Sequence, residues 1–296
     1  MTSTLQSVYE REHEQMSKGI REQFLEDGFL VVRTLLSESD VAFYVARLRE
    51  LAGIKNRWTQ PDGVNRNPDF WPIIFHDRLL ASLGEILGPD VRYLPHNDLH
   101  LGFSSFSWHR DSVNRDVGDG QDWDETQEPY RIARVGVYLQ RFDDSGFKLG
   151  FVKGSHRPKA LTGAAGRRAH RRTGPLANII SGLSGVDLLG ADADWLATDP
   201  GDCVIFDARI LHTGSRFHGP KYSIFVAYGL ENSHFRNHWH YYLTLRTDLG
   251  YSAIAAPLAD RLRAAGLLAE EPPANLKIAG AWIPSPTFAY VARRFK

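Results

Sequence analysis

Between residues 90 and 230 the chain repeats one pattern: a short β-prone run, then a turn rich in Gly, Pro or Asp. The runs cover residues 91–94, 99–108, 132–139, 147–152, 203–206 and 222–228. Several short strands at close spacing point to an antiparallel sandwich or jelly roll. The run 132–140 alternates cleanly: Ala133, Val135, Val137 and Leu139 share one face, and Arg134, Gly136, Tyr138 and Gln140 share the other. In an open sheet the polar face meets water, whereas in a sheet that encloses a cavity it lines a site. The sequence leaves both readings open for Arg134.

The flanks read as helical. Residues 8–24 space their apolar side chains three or four apart, and Asp27-Gly28 ends that helix before a short strand at 29–33. Ser37 or Ser39 caps a second helix that runs to about residue 51. Residues 55–70, rich in Asn, Pro and Asp, read as a loop. A third helix over residues 77–87 stops at Gly88-Pro89. Residues 255–268 are helical in part. No linker divides the chain, so one domain is expected over 1–296. Its helical part is 1–90, its β core 91–235, and its C-terminal extension 236–296. Inserts at 112–130 and 157–200 interrupt the core.

Composition decides which chemistry is open to this core. One Cys among 296 residues rules out an internal disulfide framework, a thiolate zinc site and an iron–sulfur cluster. Lys and Arg number 35 against 35 Asp and Glu, which argues against a nucleic-acid partner. No run approaches the roughly 20 apolar residues of a bilayer span, so no membrane partner is expected. The polar N-terminus has no signal-peptide core, which makes a cytoplasmic, reduced setting the expectation. A transition-metal site here has to come from carboxylates and the 12 His.

Trp108-His109-Arg110-Asp111 is the first candidate. A His and an Asp two residues apart on an extended segment point the same way and can bind one metal side by side. His212 follows the turn Pro200-Gly201-Asp202 and an apolar strand. His109, Asp111 and His212 would form the two-His, one-carboxylate triad suited to Fe(II). A His-x-Asp pair alone is weak, since surface pairs of that kind arise by chance.

Four pieces in order give it context. They are 23–32 (QFLEDGFLVV), 108–111 (WHRD), 153–157 (KGSHR) after Asp144-Ser145-Gly146, and 200–202 (PGD) with the distal 212–215 (HTGS). Together they resemble the phytanoyl-CoA dioxygenase family of Fe(II)- and 2-oxoglutarate-dependent oxygenases, over about residues 20–235. The resemblance implies a mainly β fold with flanking helices, the double-stranded β-helix (a cupin-like jelly roll). It implies Fe(II) bound by His109, Asp111 and His212, with 2-oxoglutarate and O2 as cosubstrates. The expected outcome is hydroxylation, or another oxidation, of an unactivated C–H bond in a small molecule such as a specialised metabolite. Related halogenases replace the carboxylate that Asp111 supplies here, which favours oxidation over halogenation. His156, in the Gly-Ser-His turn, is then structural.

Family members anchor the far carboxylate of 2-oxoglutarate with an Arg beyond the distal His. This sequence departs from that pattern and has Lys221 at the matching position, with Ser223 two residues on. Lys offers a point charge in place of a bidentate fork. Arg216 is the competing anchor, and Arg134 a further candidate for an anionic group.

Other residues carry less. His96, Asn97 and His100 could line the same cavity. His234, His238 and His240 would pack over the barrel mouth or form an interface, with a second metal the lesser reading. The insert 112–130 is acidic, carries Trp123 and is placed to act as a lid. Its charge and the aromatic rim hint at a polar or cationic substrate. Arg167, Arg168, His170, Arg171 and Arg172 read as a solvated loop, with an anion site as the alternative. Cys203 reads as a buried core residue. The chain is expected to act as a monomer or homodimer. A cupin-like metal enzyme without 2-oxoglutarate, and a catalytically silent binding barrel, are the competing readings.

Overall fold

The computed structural model describes residues 19–105, 107–157 and 193–284. The residues 8–18 of the first expected helix and the basic cluster 167–172 lie outside them.

The strands in chain order are β1 (Phe29–Val32), β2 (Trp58–Pro61), β3 (Val91–Leu101), β4 (Ile132–Tyr138), β5 (Lys148–Phe151), β6 (Asp194–Ala197), β7 (Cys203–Asp207), β8 (His212–Gly214) and β9 (Tyr222–Leu230). They form two sheets with antiparallel neighbours throughout. The large sheet has the order β1-β7-β4-β9-β3-β2, and the small one β6-β5-β8. The helices are α1 (Ile20–Asp27), α2 (Glu38–Ala52), α3 (Asp77–Leu87), α4 (Ser233–His240) and α5 (Ala256–Ala264). No helix among the described residues is long and apolar enough to cross a membrane.

Local chemistry sets the helix ends. Ser37 caps α2 in a reciprocal box with Asp40. Gly28 ends α1 with φ 86°, a conformation costly for any residue with a Cβ. That glycine also makes room: a Cβ there would lie 2.4 Å from His156 Nδ1. The buried His156 ring reaches the Leu25 carbonyl through Nε2 at 3.2 Å. His156 thus ties the Gly-Ser-His turn to α1.

Both faces of the large sheet are covered. Ala133, Val135 and Val137 of β4 join Ile205, Ile224 and Val226 against Tyr44 and Leu48 of α2 and Leu79, Leu83 and Ile86 of α3. Tyr138, Val204 and Phe206 point the other way, onto Leu149 and Phe151 of the small sheet. Each such apolar side chain contributes about 1.5–3 kcal/mol on burial. The polar face of β4 therefore looks into the molecule, which resolves the question left by its alternation. Cys203 is buried on the helix-covered side.

Several expected boundaries move. The runs 91–94 and 99–108 are one strand, β3, whose pairing with β9 shifts between Leu94 and Asp98. Pro95 sits in that irregularity, where a missing N–H costs least. The strand stops at Leu101 because Gly102 turns with φ 59°, and a Cβ there would meet the Asn56 carbonyl at 2.0 Å. Within 55–70 the chain forms β2 and the helical turns Gly63–Arg66 and Pro68–Phe70. The His-rich run 234–240 is helical: Asn232 Oδ1 accepts from the Phe235 amide at 3.1 Å and starts α4. On this helix His238 and His240, two positions apart, point to different sides.

Candidate metal centre and cavity

A single β-bridge places the candidate residues. His109 N–H donates to the His212 carbonyl, and His212 N–H donates to the His109 carbonyl, both at 3.0 Å. Asp111 N–H donates to the Ala208 carbonyl at 2.9 Å. The short segment 109–111 is thereby pinned to β8 and to the turn before it. The His109 and His212 rings lie 4.3 Å apart.

Their tautomers follow from the hydrogen bonds. His109 Nδ1 lies 2.7 Å from the Ser107 carbonyl, and His212 Nδ1 lies 3.0 Å from the Ile210 carbonyl. A carbonyl only accepts, so both Nδ1 atoms carry the proton and both Nε2 atoms keep a free lone pair. Nε2 of His109 is 3.8 Å from Asp111 Oδ1, and Nε2 of His212 is 3.9 Å from Asp111 Oδ2. One ligand atom from each residue falls within 4.8 Å of the other two. Second bonds from Nδ1 to carbonyls are how metal-binding imidazoles are commonly oriented. Burial pushes the pKa of His212 down to about 3, helped by its neighbour His109, so the ring is neutral and ready to ligate. Burial would raise the Asp111 pKa, but His212, Arg134 and His109 overcome it and hold the carboxyl well below the usual range. These residues fit a metal dication: two neutral nitrogens and an ionised carboxylate converge on one point.

Arg134 stands behind this group. Its Nε donates to Asp111 Oδ2 at 3.2 Å, and its Nη2 donates to Asp98 Oδ2 at 2.9 Å. A further bond goes to the His96 carbonyl. Its donors are directed at the protein, so it acts as a strut between two carboxylates and is not turned toward a ligand. Tyr242 Oη donates to the Asp111 carbonyl at 3.3 Å.

The group opens onto a cavity of about 370 Å³. At one side stands Lys221, buried, with Nζ 2.8 Å from Ser223 Oγ and 4.8 Å from the Phe147 ring centre. No carboxylate lies within 4.0 Å of it among the described residues. Burial alone pushes its pKa down to about 7. Tyr138, Phe147, Leu149 and Phe225 give the cavity apolar walls. Arg216 is exposed and faces a different surface depression. His96 and His100 line the cavity, while Asn97 turns away to accept from the Val64 amide at 2.8 Å.

The segment 112–130 is pinned. Asp122 and Trp123 are buried, and Asp122 Oδ2 accepts from the amides of Val113 at 2.7 Å and Asn114 at 3.0 Å. The segment is tied to the rest of the chain as well, by Arg209 Nη1 donating to the Asp122 carbonyl at 3.2 Å and Asn114 Nδ2 donating to the Ala279 carbonyl at 2.9 Å, so it forms a wall of the cavity on that side. Sequence reasoning missed Arg115, Tyr242, Arg246 and Trp282, all of which line the cavity. Arg115 had a signal, as the lone cation in the acidic stretch 112–130. Trp282 and Arg246 had none, since they come from the extension beyond the β core.

No family model matches the chain, and no curated protein sequence matches it. Solved structures do resemble it. HygX from Streptomyces hygroscopicus, with nickel and 2-oxoglutarate bound, is 19% identical, covers 71% of this chain and 85% of its own, and gives a TM-score of 0.51. SnoN, a non-heme α-ketoglutarate-dependent epimerase from nogalamycin biosynthesis, is 18% identical over 71% of this chain and 79% of its own, also at 0.51. HygX with nickel, 2-oxoglutarate and hygromycin B bound is 21% identical over 71% and 86%, at 0.50. At such identities the likeness is one of fold.

Proposed function

We propose that the protein is an Fe(II)- and 2-oxoglutarate-dependent oxygenase on a double-stranded β-helix, acting on a small molecule. The observation that carries this reading is the convergence of His109 Nε2, His212 Nε2 and the Asp111 carboxylate at the edge of a cavity that also holds an unpaired, buried Lys221. The phytanoyl-CoA dioxygenase motifs agree with it, as do structural neighbours solved with iron, nickel and 2-oxoglutarate. Bound at this site, Fe(II) with 2-oxoglutarate would let O2 oxidise an unactivated C–H bond of the substrate.

The chain's own residues have distinct tasks. His109, Asp111 and His212 hold the metal and leave positions open for other ligands. Arg134 fixes the Asp111 carboxylate. Lys221, steadied by Ser223, meets the far carboxylate of 2-oxoglutarate. Tyr138, Phe147 and Phe225 keep water away and strengthen that charge pair. Hydroxylation is the simplest outcome, and the other oxidations remain the finer question of substrate pose.

The test is anaerobic titration of the Fe(II)-loaded protein with 2-oxoglutarate, followed by visible absorbance and calorimetry. A charge-transfer band that saturates with 2-oxoglutarate, lost in His212→Ala, is expected. Metal binding without any 2-oxoglutarate binding would favour a cupin-like enzyme of another reaction. Neither binding would leave a silent barrel. A succinate-release screen with candidate metabolites then identifies the substrate.

A further inference from the structure

The cavity holds more positive charge than one dicarboxylate needs. Its charged lining residues sort by partner. Arg134 is engaged by Asp98 and Asp111, and Arg246 is clamped by Asp248 through bonds of 2.8 and 3.0 Å. Arg110 is almost fully buried and packed against Trp123: its Nε donates to the Arg209 carbonyl at 2.8 Å and its Nη1 to the Arg115 carbonyl at 3.4 Å, and its Nη2 is sealed from solvent without a partner. Lys221 is assigned above. Arg115 remains. No carboxylate lies within 4.0 Å of its guanidinium among the described residues, and its Nε is buried without a hydrogen-bond partner. Asp116, beside it in sequence, is exposed at the cavity rim.

Arg115 is held in place. Its guanidinium carbon lies 3.6 Å from the ring centre of Trp282. Trp282 N–H in turn donates to the Val113 carbonyl at 3.0 Å, and Tyr241 Oη donates to the Trp282 carbonyl at 2.6 Å. A guanidinium stacked on an indole keeps its in-plane donors free for a ligand. Arg115 lines the same cavity as His109 and Asp111. Lys221 stands instead by Ser223 Oγ at 2.8 Å, with Nζ 4.8 Å from the Phe147 ring centre. Arg115 and Lys221 thus pack on different neighbours within one cavity. Tyr242 and Leu249 supply apolar lining on the Arg115 side, against Val113 and Ala281.

We propose that Arg115, backed by Trp282, anchors an anionic group of the substrate, a carboxylate or an oxyanion of similar size, at a subsite distinct from that of Lys221. This narrows the hint of a polar or cationic substrate taken from the acidic stretch 112–130, since that stretch brings its lone cation to the cavity together with the exposed Asp116 at the rim. The identity of the second ligand as 2-oxoglutarate rests on the oxygenase reading; anion binding by Arg115 does not.

Benzoate, with benzamide as its neutral counterpart, probes the subsite by calorimetry. Titrations use the full chain, metal-free and also loaded with Ni(II) and 2-oxoglutarate. Benzoate should bind both forms at least tenfold more tightly than benzamide, without displacing 2-oxoglutarate. Arg115→Gln should weaken benzoate at least tenfold and change 2-oxoglutarate affinity less than twofold. Trp282→Leu, which keeps Arg115 and removes the ring beneath it, should weaken benzoate at least threefold, and it carries the comparison if Arg115→Gln loses its native circular dichroism. Benzoate that competes with 2-oxoglutarate, binds no better than benzamide, or binds the variants as well as wild type overturns the proposal. If the loaded protein takes no 2-oxoglutarate, the oxygenase reading fails, and the metal-free titration still decides the role of Arg115.

Discussion

Arg134 Nε donates to Asp111 Oδ2 at 3.2 Å while its Nη2 donates to Asp98 Oδ2 at 2.9 Å. One guanidinium thus bridges two largely shielded carboxylates, one of them a candidate metal ligand. Removing a partner from such a network leaves uncompensated buried charge, which costs about 3–5 kcal/mol. Arg134→Leu is expected to lower stability by that order in urea denaturation. Arg134→Lys keeps the charge but cannot reach both carboxylates in one plane. It should fold, and should bind Co(II) about 10–100-fold more weakly in a spectroscopic titration, the range seen when a ligand loses its supporting bond. Unchanged Co(II) affinity in Arg134→Lys would show that the Arg134 bond does not support Asp111 in metal binding.

Lys221 is a charge buried for a ligand. Burial pushes its pKa down to about 7, against about 10.4 in an unfolded chain. Between those values the unfolded chain keeps a proton that the folded one has shed. Stability should therefore rise with pH from about 7 to about 10, and the cost of the buried charge is fully present below 7. Lys221→Met should be more stable than wild type at pH 6, by at most a few kcal/mol, with the gap closing near pH 10. The same change should weaken 2-oxoglutarate binding about 100-fold or more, as loss of a buried charge pair does. In wild type, the affinity for 2-oxoglutarate should fall as pH climbs above about 7. Denaturation at two pH values and calorimetry of 2-oxoglutarate check both halves.

How much of this was legible in the sequence depends on whether the signal was local. The alternation in 132–140 is a local rule, and it correctly split Val135 from Arg134. It could not say which face met water, because that depends on α2 and α3 covering the sheet from afar. The triad residues were legible as types, yet the bridge between His109 and His212 joins positions about a hundred residues apart. The run 234–240 carried no element assignment for a different reason. Aromatic and His residues fit a strand, but the Asn232 cap and burial against Leu94 and Ala227 make it a helix. Trp282 reaches the cavity only because the extension packs back along Val113, a contact with no pattern in the chain.

The turn before β7 makes a separate stability claim. Gly201 has φ 88°, and a Cβ there would lie 2.6 Å from the Leu36 carbonyl. Its own carbonyl accepts from the Leu36 amide at 3.2 Å, and its N–H donates to the Tyr138 carbonyl at 2.8 Å. Asp202, next in line, accepts from the amides of Thr34 at 3.0 Å and Asp199 at 2.9 Å. The Pro-Gly-Asp turn therefore joins β4, β7 and the chain entering α2. Gly201→Ala must shift backbone on both sides and is expected to cost about 1–3 kcal/mol. Asp202→Ala strands two amides and should cost a similar amount. Thermal denaturation of both variants measures this, and a melting point equal to wild type for either would contradict it.

Asp122 offers the opposite sign. Its Oδ2 accepts from both the Val113 and Asn114 amides, while Oδ1 is buried without a hydrogen-bond partner, 3.9 Å from His234 Nδ1. Burial pushes its carboxyl pKa up, against the pull of those amides, of His234 and of Arg209. A carboxyl with a raised folded pKa binds its proton more tightly folded than unfolded. Stability from this group is therefore present below the unfolded pKa of about 4 and falls as pH rises through the folded value. Asp122→Asn keeps a carbonyl oxygen for both amides and places an uncharged NH2 where the unpaired oxygen lay. At pH 7 and above it should match or exceed wild type in stability, and the advantage should shrink as pH falls toward 4. Asp122→Ala removes the acceptor and should cost about 1–3 kcal/mol at every pH. Urea denaturation at pH 4.5 and pH 7.5 distinguishes the two variants. An Asp122→Asn protein as unstable as Asp122→Ala at pH 7.5 would mean that the charge itself holds the 112–130 wall in place.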